Sequence, residues 1–163
     1  MLQTIAQWLQ DTAFAQWVAT SSVAFPWIET CHVIFMTTVV GTITVVDLRL
    51  LNVNSTRRSV TQITNEVLPF TWCAFALAAL TGGMVCMAKA VEYVDDFPFR
   101  MKMLLLACAG INMVIFHFTA YRGVASWDQT PDTPRAAKIA AALSLMFWAS
   151  IIVFGRWIGF TVR

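Results

Sequence analysis

The sequence contains unusually little charge for its length. Only 12% of its 163 residues are charged, whereas 58% are hydrophobic. A water-soluble domain carries roughly 25% charged residues, and a fold of this size could not bury so much apolar surface. The net charge of +2 is too small to favour nucleic acid or acidic partners. The composition therefore predicts an integral membrane protein of one domain that does not bind nucleic acid.

Basic residues are absent from the start of the chain, because no Lys or Arg precedes Arg49. A secretory signal peptide begins with a basic segment, so we expect the N-terminal residues to be retained. The sequence also lacks a phosphate-binding glycine loop, a hydrolase nucleophile with its base, and a complete protein metal cage. The cysteines lie in apolar stretches, where we expect free thiols that pack as small hydrophobic groups: Cys31, Cys73, Cys86 and Cys108.

Four long apolar stretches make up most of the chain. Each exceeds the ~20 residues that cross a bilayer as a helix. They cover residues 26–51, 66–91, 98–123 and 135–160, with short polar connections at 52–65, 92–97 and 124–134. Four antiparallel spans favour an all-α, up-down four-helix bundle over residues 26–163.

Residues 1–25 form a separate segment that precedes the first span. The apolar side chains of Leu2, Ile5, Trp8 and Leu9 share one helical stripe. This pattern predicts a short amphipathic helix at the membrane interface. Because no basic residue lies in the first 48 positions, we expect both termini on the non-cytoplasmic side, which is the periplasmic side of a bacterial inner membrane.

Small residues form two stripes that predict close helix packing. Gly155 and Gly159 lie one turn apart in the fourth span, and Gly82 and Gly83 follow two alanines in the second span. Such faces are typical of contacts between membrane helices, either within one chain or between chains. We expect a homo-oligomer or a subunit of a larger membrane complex.

The two histidines are candidate functional residues, since an ionisable side chain inside a membrane span is costly to bury. At 1.5 Å per residue, His32 lies about 9 Å into the first span and His117 about 28 Å into the third. These two spans run in the same direction, so the histidines should lie near opposite faces of the membrane. We therefore do not expect one haem iron to bind both.

Several polar side chains are predicted at the level of His32. Glu29 lies one turn before it on the same face, and the third and fourth spans contribute Arg100, Lys102 and Arg156. One candidate ligand is haem b, with His32 as an axial ligand, the cations as propionate partners, and a Met or Lys as sixth ligand. An alternative is that these charges only neutralise one another, without a cofactor.

Sulfur-bearing side chains at the same level point to a second candidate ligand. Cu(I) prefers thiolate, thioether and imidazole ligands. His32 is the imidazole, and three methionines are possible further ligands: Met84, Met87 and Met103. Copper therefore remains an alternative to haem.

A second polar layer is expected near the other ends of the same spans. It contains Asp47, Arg49, Asn112 and His117. His117 shares one stripe of the third span with Lys102, so we expect both to face the same way. The layer is interpreted as an interhelical network of hydrogen bonds and ion pairs. The alternatives are a second ligand site and the far end of a proton path.

Short motifs in the first and third spans resemble known families. The chain contains Glu29-x-x-His32, then Gly41 followed by Asp47-Leu48-Arg49-Leu50-Leu51, then Phe99-Arg100-x-Lys102 and Phe116-His117. Over nearly the whole chain they resemble a bacterial family of four-span proteins with E-x-x-H, G-x(5)-DLRLL and FR-x-K motifs, to which no activity is attached.

Two of the four spans also resemble, more distantly, the membrane-bound protoporphyrinogen oxidases that contain haem b. Those proteins have an early histidine in one span and an H-x-K-L-L span, so the resemblance implies that His32 and Lys102 belong to a haem site. Arg100 stands where the oxidases have a histidine. Copper-resistance membrane proteins are similar at the same level, which implies copper instead.

The leading functional hypothesis is a small membrane cytochrome b that exchanges electrons with a quinone or a partner protein. If the protein is an enzyme, it is expected to be a haem-dependent membrane oxidoreductase. The alternatives are a copper-binding or copper-transporting membrane protein, and a cofactor-free accessory subunit of a larger membrane complex.

Overall fold

A computed structural model describes residues 1–53, 58–128 and 133–162 of the chain. Within these residues every regular element is helical. The α-helices are α1 Leu2–Gln10, α2 Ala13–Thr20, α3 Ala24–Leu50, α4 Val60–Ala88, α5 Ala90–Asp95, α6 Phe97–Phe118 and α7 Arg135–Thr161, with a 3₁₀ helix at Tyr121–Ser126. The all-α prediction is therefore confirmed for the described residues.

Four of these helices, α3, α4, α6 and α7, are long and apolar enough to cross a membrane. The predicted spans 26–51 and 135–160 agree with α3 and α7 within two residues. The predicted span 66–91 starts too late, because α4 begins at Val60, where the Ser59 side chain caps it by accepting the Gln62 N–H at 3.1 Å. Hydropathy alone does not detect such a cap, so it assigns the polar first turn of α4 to a connection.

The predicted span 98–123 extends too far. Helix α6 ends at Phe118, because Thr119 leaves the helical conformation with φ −109° and ψ −83°. The following residues Tyr121–Ser126 form the 3₁₀ helix. The predicted connection 92–97 is also partly wrong, since most of it belongs to α5, and Asp96 then caps α6 by accepting the Phe99 N–H at 3.0 Å.

The first 25 residues contain two helices rather than one. Helix α1 coincides with the predicted amphipathic stretch, and α2 starts after Thr12, whose hydroxyl accepts the Ala15 N–H at 3.3 Å. Gln3 donates to the Asp95 carboxylate at 2.9 Å, and Gln10 accepts the Val91 N–H at 3.0 Å. These bonds attach α1 to α5, at the end of the helices where α3 begins.

Two apolar clusters hold the long helices together. The central cluster draws on all four of them and consists of Val39, Ala74, Ala109, Trp148 and Ile151. The loop-end cluster lies where α3 ends and α4 begins, and it consists of Leu50, Val60, Trp127, Ala137 and Ala141. Helix α3 packs against α4 and α7, and α6 packs against α7. The polar side chains of interest lie on either side of the central cluster.

Arg49 closes the loop end of the fold and is only 1% exposed. Its Nε donates to the Arg58 carbonyl at 2.8 Å, and its terminal nitrogens donate to the Asp128 carbonyl at 3.3 Å and to the Asn52 side chain at 3.4 Å. A planar guanidinium with five donors suits this position, because it can satisfy several acceptors at once. Arg49 thus joins the end of α3 to the chain segments before α4 and after the 3₁₀ helix.

Asp128 caps the N-terminus of α4 and makes the stability of this end depend on pH. Its carboxylate accepts the Thr61 N–H at 2.8 Å and the Thr61 hydroxyl. Burial alone would raise its pKa, but the hydrogen bonds from Thr61, Ser59 and Val60 outweigh burial and hold the pKa of Asp128 below its ordinary value. The ionised carboxylate is therefore the form that stabilises the cap.

We expect acid to weaken this end of the molecule. A carboxyl group whose pKa is lower in the folded than in the unfolded protein stabilises the fold in its ionised form. This stabilisation is complete above the pKa of Asp in the unfolded chain, about 4, and is lost as the pH falls through the folded pKa. Thermal unfolding in detergent between pH 7 and pH 3 should show a falling Tm for the wild type and a smaller fall for Asp128→Asn. Asp11→Asn, at an exposed carboxylate of the opposite end, is the control. Equal pH profiles for the wild type and Asp128→Asn would contradict the assignment.

Candidate functional site

His32 is held against α4 in a defined tautomer. Its Nδ1 lies 2.9 Å from the Ala78 carbonyl oxygen. Because a carbonyl can only accept, the ring donates from Nδ1 and keeps the lone pair on Nε2. The Thr81 hydroxyl lies 3.4 Å from the same Nδ1 and itself donates to the Leu77 carbonyl at 2.7 Å. Nε2 is therefore the ring atom that is available to a ligand.

Gly82 makes the approach of the His32 ring to α4 possible. A Cβ atom at this position would lie 2.7 Å from His32 Cε1, which is closer than non-bonded carbon atoms approach, and 3.1 Å from Nδ1, which is a tight contact. The neighbouring Gly83 has no atom within 4 Å of such a Cβ. The sequence interpretation assigned both glycines to helix packing and missed this role. Two adjacent glycines inside a helical stretch are the sequence signal for a close contact. This signal does not show which of the two glycines makes the contact.

Lys102 of α6 reaches toward the same layer from the opposite side. Its side chain runs along Gly155 of α7, where a Cβ would lie 3.5 Å from Nζ and 3.7 Å from Cε. The ammonium is close enough to the His32 ring and to the Cys86 thiol to act on both electrostatically. The layer just beyond the central cluster thus brings together one imidazole, one ammonium and one thiol.

The other predicted cations of this layer point elsewhere. Arg100 donates to the Val94 carbonyl at 2.6 Å and to the Asp95 carboxylate at 2.9 Å, so α5 holds its guanidinium. Arg156 is exposed, and its guanidinium lies 4.8 Å from the centre of the Phe160 ring. Both side chains lie at the rim of the site rather than beside His32.

Glu29 is also exposed. Within the described residues the ion pairs are Arg58–Glu66, Lys89–Glu92 and Arg100–Asp95. The alternative in which Glu29, Lys102 and Arg156 neutralise one another is therefore not what the structure forms.

Tyr93 is a residue of this region that the sequence interpretation missed. It lies in α5, is only 8% exposed, and stacks on Phe99 with ring centres 5.2 Å apart. Burial raises its pKa to about 12, and the nearby Cys86, Glu29, Glu92 and Asp96 add to the shift. Its hydroxyl therefore stays protonated at neutral pH. Tyr93 was overlooked because its segment was expected to be a polar connection rather than a helix.

The sulfur atoms proposed as copper ligands are distributed unevenly. Met84 and Met87 are half-buried on α4, whereas Met103 on α6 is half-exposed. The four cysteines are free. In the part of the chain that the structure describes, no three His, Cys, Asp or Glu side chains gather closely enough to hold a metal ion.

The predicted inner layer is not one site. Arg49 binds the connecting segments, and Asn112 donates to the Ala140 carbonyl of α7 at 2.9 Å. His117 is exposed and stacks on Tyr121 with ring centres 4.8 Å apart. Asp47 alone is buried among the helices, where the Ser144 side chain of α7 lies near its carboxyl group.

Lys102 and His117 differ in exposure, and that they face the same way stays a prediction. The 15 positions from Lys102 to His117 advance the helix by slightly more than four turns, which turns the two side chains about 60° apart. Lys102 is half-buried, whereas His117 is exposed and lies in the last turn of α6. The expected separation of His117 from His32 holds, since they lie on opposite sides of the central cluster.

Comparison with known proteins places the chain in a family. No curated protein and no solved structure shows significant similarity to it. A family model described as a family of unknown function, DUF6644, matches residues 6–161, which is nearly the whole chain. The protein therefore belongs to the DUF6644 family.

Proposed function

We propose that the protein is a multi-pass membrane cytochrome: an up-down four-helix bundle that binds one haem b through His32 and exchanges electrons with a quinone or a partner protein. Its insertion in a membrane is supported by the apolar residues that the fold leaves uncovered. No more than 28% of the most apolar window of any of the four long helices is buried within the described chain. In water such a surface would be unstable, and in lipid it is favourable.

The direction of the helices supports the up-down bundle. Helices α3 and α6 run toward the loop-end cluster, and α4 and α7 run away from it. At the opposite end, α1 and α2 expose Leu2, Ile5, Trp8 and Trp17, as expected for helices in the interface. We place this end, together with His32, on the periplasmic side of a bacterial inner membrane.

The observation that carries the haem proposal is the hydrogen bond from His32 Nδ1 to the Ala78 carbonyl. Histidines that bind metals usually donate their other ring N–H to a carbonyl or carboxylate, which fixes the ring and raises its basicity. His32 has this arrangement, with Nε2 left for iron.

The remaining residues of the layer suit a haem with one histidine ligand. Lys102 supplies a half-buried cation that could pair with a propionate or take the sixth position, and Arg100 and Arg156 lie at the rim. Within the described residues α4 and α6 have little direct contact, so the bundle is less tightly closed on that side. Bound haem would supply one-electron chemistry, and the chain would hold the ring and exclude water.

An absorption spectrum tests this proposal. Protein purified in detergent from cells supplied with a haem precursor should show a Soret band and a reduced-minus-oxidised difference spectrum, at about one haem per chain. The protein concentration, from amino-acid analysis, sets the stoichiometry. A preparation that is folded by circular dichroism but has no Soret band would refute the haem proposal.

Copper binding is the second candidate, and the position of Cys86 favours it. This thiol lies near Lys102, which also faces His32, and Met84 and Met87 are half-buried on the same helix. Metal analysis of the same preparation separates the two proposals. Stoichiometric copper without a Soret band would favour Cu(I), and neither metal would favour a cofactor-free accessory subunit.

A further inference from the structure

A buried carboxyl group lies on the other side of the central cluster from His32. Asp47 of α3 is only 6% exposed. The Ser144 side chain of α7 lies near the carboxyl group. The Oδ2 atom of Asp47 is buried and has no hydrogen-bond partner among the described residues. Buried oxygens are nearly always satisfied, so an unpaired one requires an explanation.

Apolar side chains seal the carboxyl group from both directions along the helices. One turn before Asp47, Ile43 packs on the central cluster, and one turn after it, Leu50 belongs to the loop-end cluster. On α7, Trp148 and Ala141 occupy the corresponding positions on either side of Ser144. The carboxyl group therefore lies between two apolar layers.

No cation of the described chain compensates a charge on Asp47. On α3 itself, Arg49 donates to acceptors of the connecting segments. At this end of α4, Glu66 pairs with Arg58 at 3.0 Å, and both are exposed.

The other two neighbouring helices offer no counter-ion either. Lys138 of α7 is not within ion-pair distance of Asp47, and His117 of α6 is exposed. An ionised carboxylate in this position would have neither a counter-ion nor a full set of hydrogen bonds. Isolated buried charges avoid that cost by binding a proton.

We propose that Asp47 is a proton-binding site of the bundle. Its carboxyl group holds one proton between the two apolar layers, beside the Ser144 side chain of α7. The site lies about 22 Å along α3 from His32. It does not depend on whether haem is bound there.

Infrared spectroscopy of the protein in lipid vesicles tests this assignment. At pH 6 the wild type should show a carboxylic-acid C=O band that corresponds to one group per chain. Asp47→Asn should lack this band, and Glu66→Gln, which removes an exposed carboxylate at the same end, should retain it. Raising the pH should bleach the band in the wild type and in Glu66→Gln alike.

Two further measurements keep the test decisive. If Asp47→Asn does not fold, Ser144→Ala should move the C=O band, because the polar neighbour of the carboxyl group is lost. A band that is unchanged in Ser144→Ala, or that Asp47→Asn does not remove, would overturn the proposal. A band that appears only when sodium is replaced by a large organic cation would also overturn it, because Asp47 would then bind a metal cation rather than a proton.

Discussion

Replacing His32 with alanine is expected to lower haem binding by more than about tenfold, because it removes the only imidazole at this level of the bundle. The measurement is the Soret absorbance per chain of the purified variant. His117→Ala is the matched control: it also removes one imidazole from a predicted span, but His117 is exposed and lies on the other side of the central cluster. Its Soret absorbance should equal that of the wild type.

Chemical rescue separates the loss of a ligand from a general loss of structure. Imidazole added to His32→Ala should restore part of the Soret band, since the small ring can occupy the space that the side chain leaves. A variant that keeps the full band would show that His32 is not a ligand. Loss of the band in His117→Ala instead would place the haem at the loop end, contrary to the proposal.

The long helices could be predicted from the sequence because hydropathy and length suffice for them. The start of α4 could not, since it depends on Ser59 accepting a backbone N–H and on Asp128, which lies far away in the sequence. Helix α5 was missed for a related reason. Its residues Glu92 and Asp95, with the adjacent Asp96, suggest a polar connection, although Asp96 marks only the boundary between two helices.

The candidate site could be predicted only in part. Counting residues along parallel spans was enough to separate His32 from His117, because depth depends only on the rise per residue. The contacts of His32 depend on the rotation and register of α3 against α4, which a single sequence does not specify. Ala78 and Gly82 therefore could not be chosen over other small residues of the same helix. The rim position of Arg100 likewise depends on a partner in α5, Asp95, whereas Arg156 lies over Phe160 of its own helix.

The contrast between Gly82→Ala and Gly83→Ala tests the placement of His32 without reference to any ligand. Replacing glycine with alanine should stabilise the helix by roughly 1 kcal/mol at either position. This contribution therefore cancels when the two variants are compared. At Gly82 the new methyl would lie 2.7 Å from His32 Cε1, whereas carbon atoms prefer about 3.5–4.0 Å. The ring must move by about 1 Å, which breaks its hydrogen bond to Ala78. We expect Gly82→Ala to unfold at a lower temperature than Gly83→Ala in the same detergent.

The same pair of variants links this contact to the proposed function. Loss of the hydrogen bond that orients a metal-binding histidine typically costs about 10- to 100-fold in metal affinity, so Gly82→Ala should also lose haem while Gly83→Ala keeps it. The cause can be isolated with a double variant, because Gly82→Ala should no longer lower the Tm when His32 is already alanine. If Gly82→Ala destabilises the protein equally with and without the imidazole, the methyl group clashes with something other than His32. The close approach of α3 and α4 at this point would then not serve to position the ring.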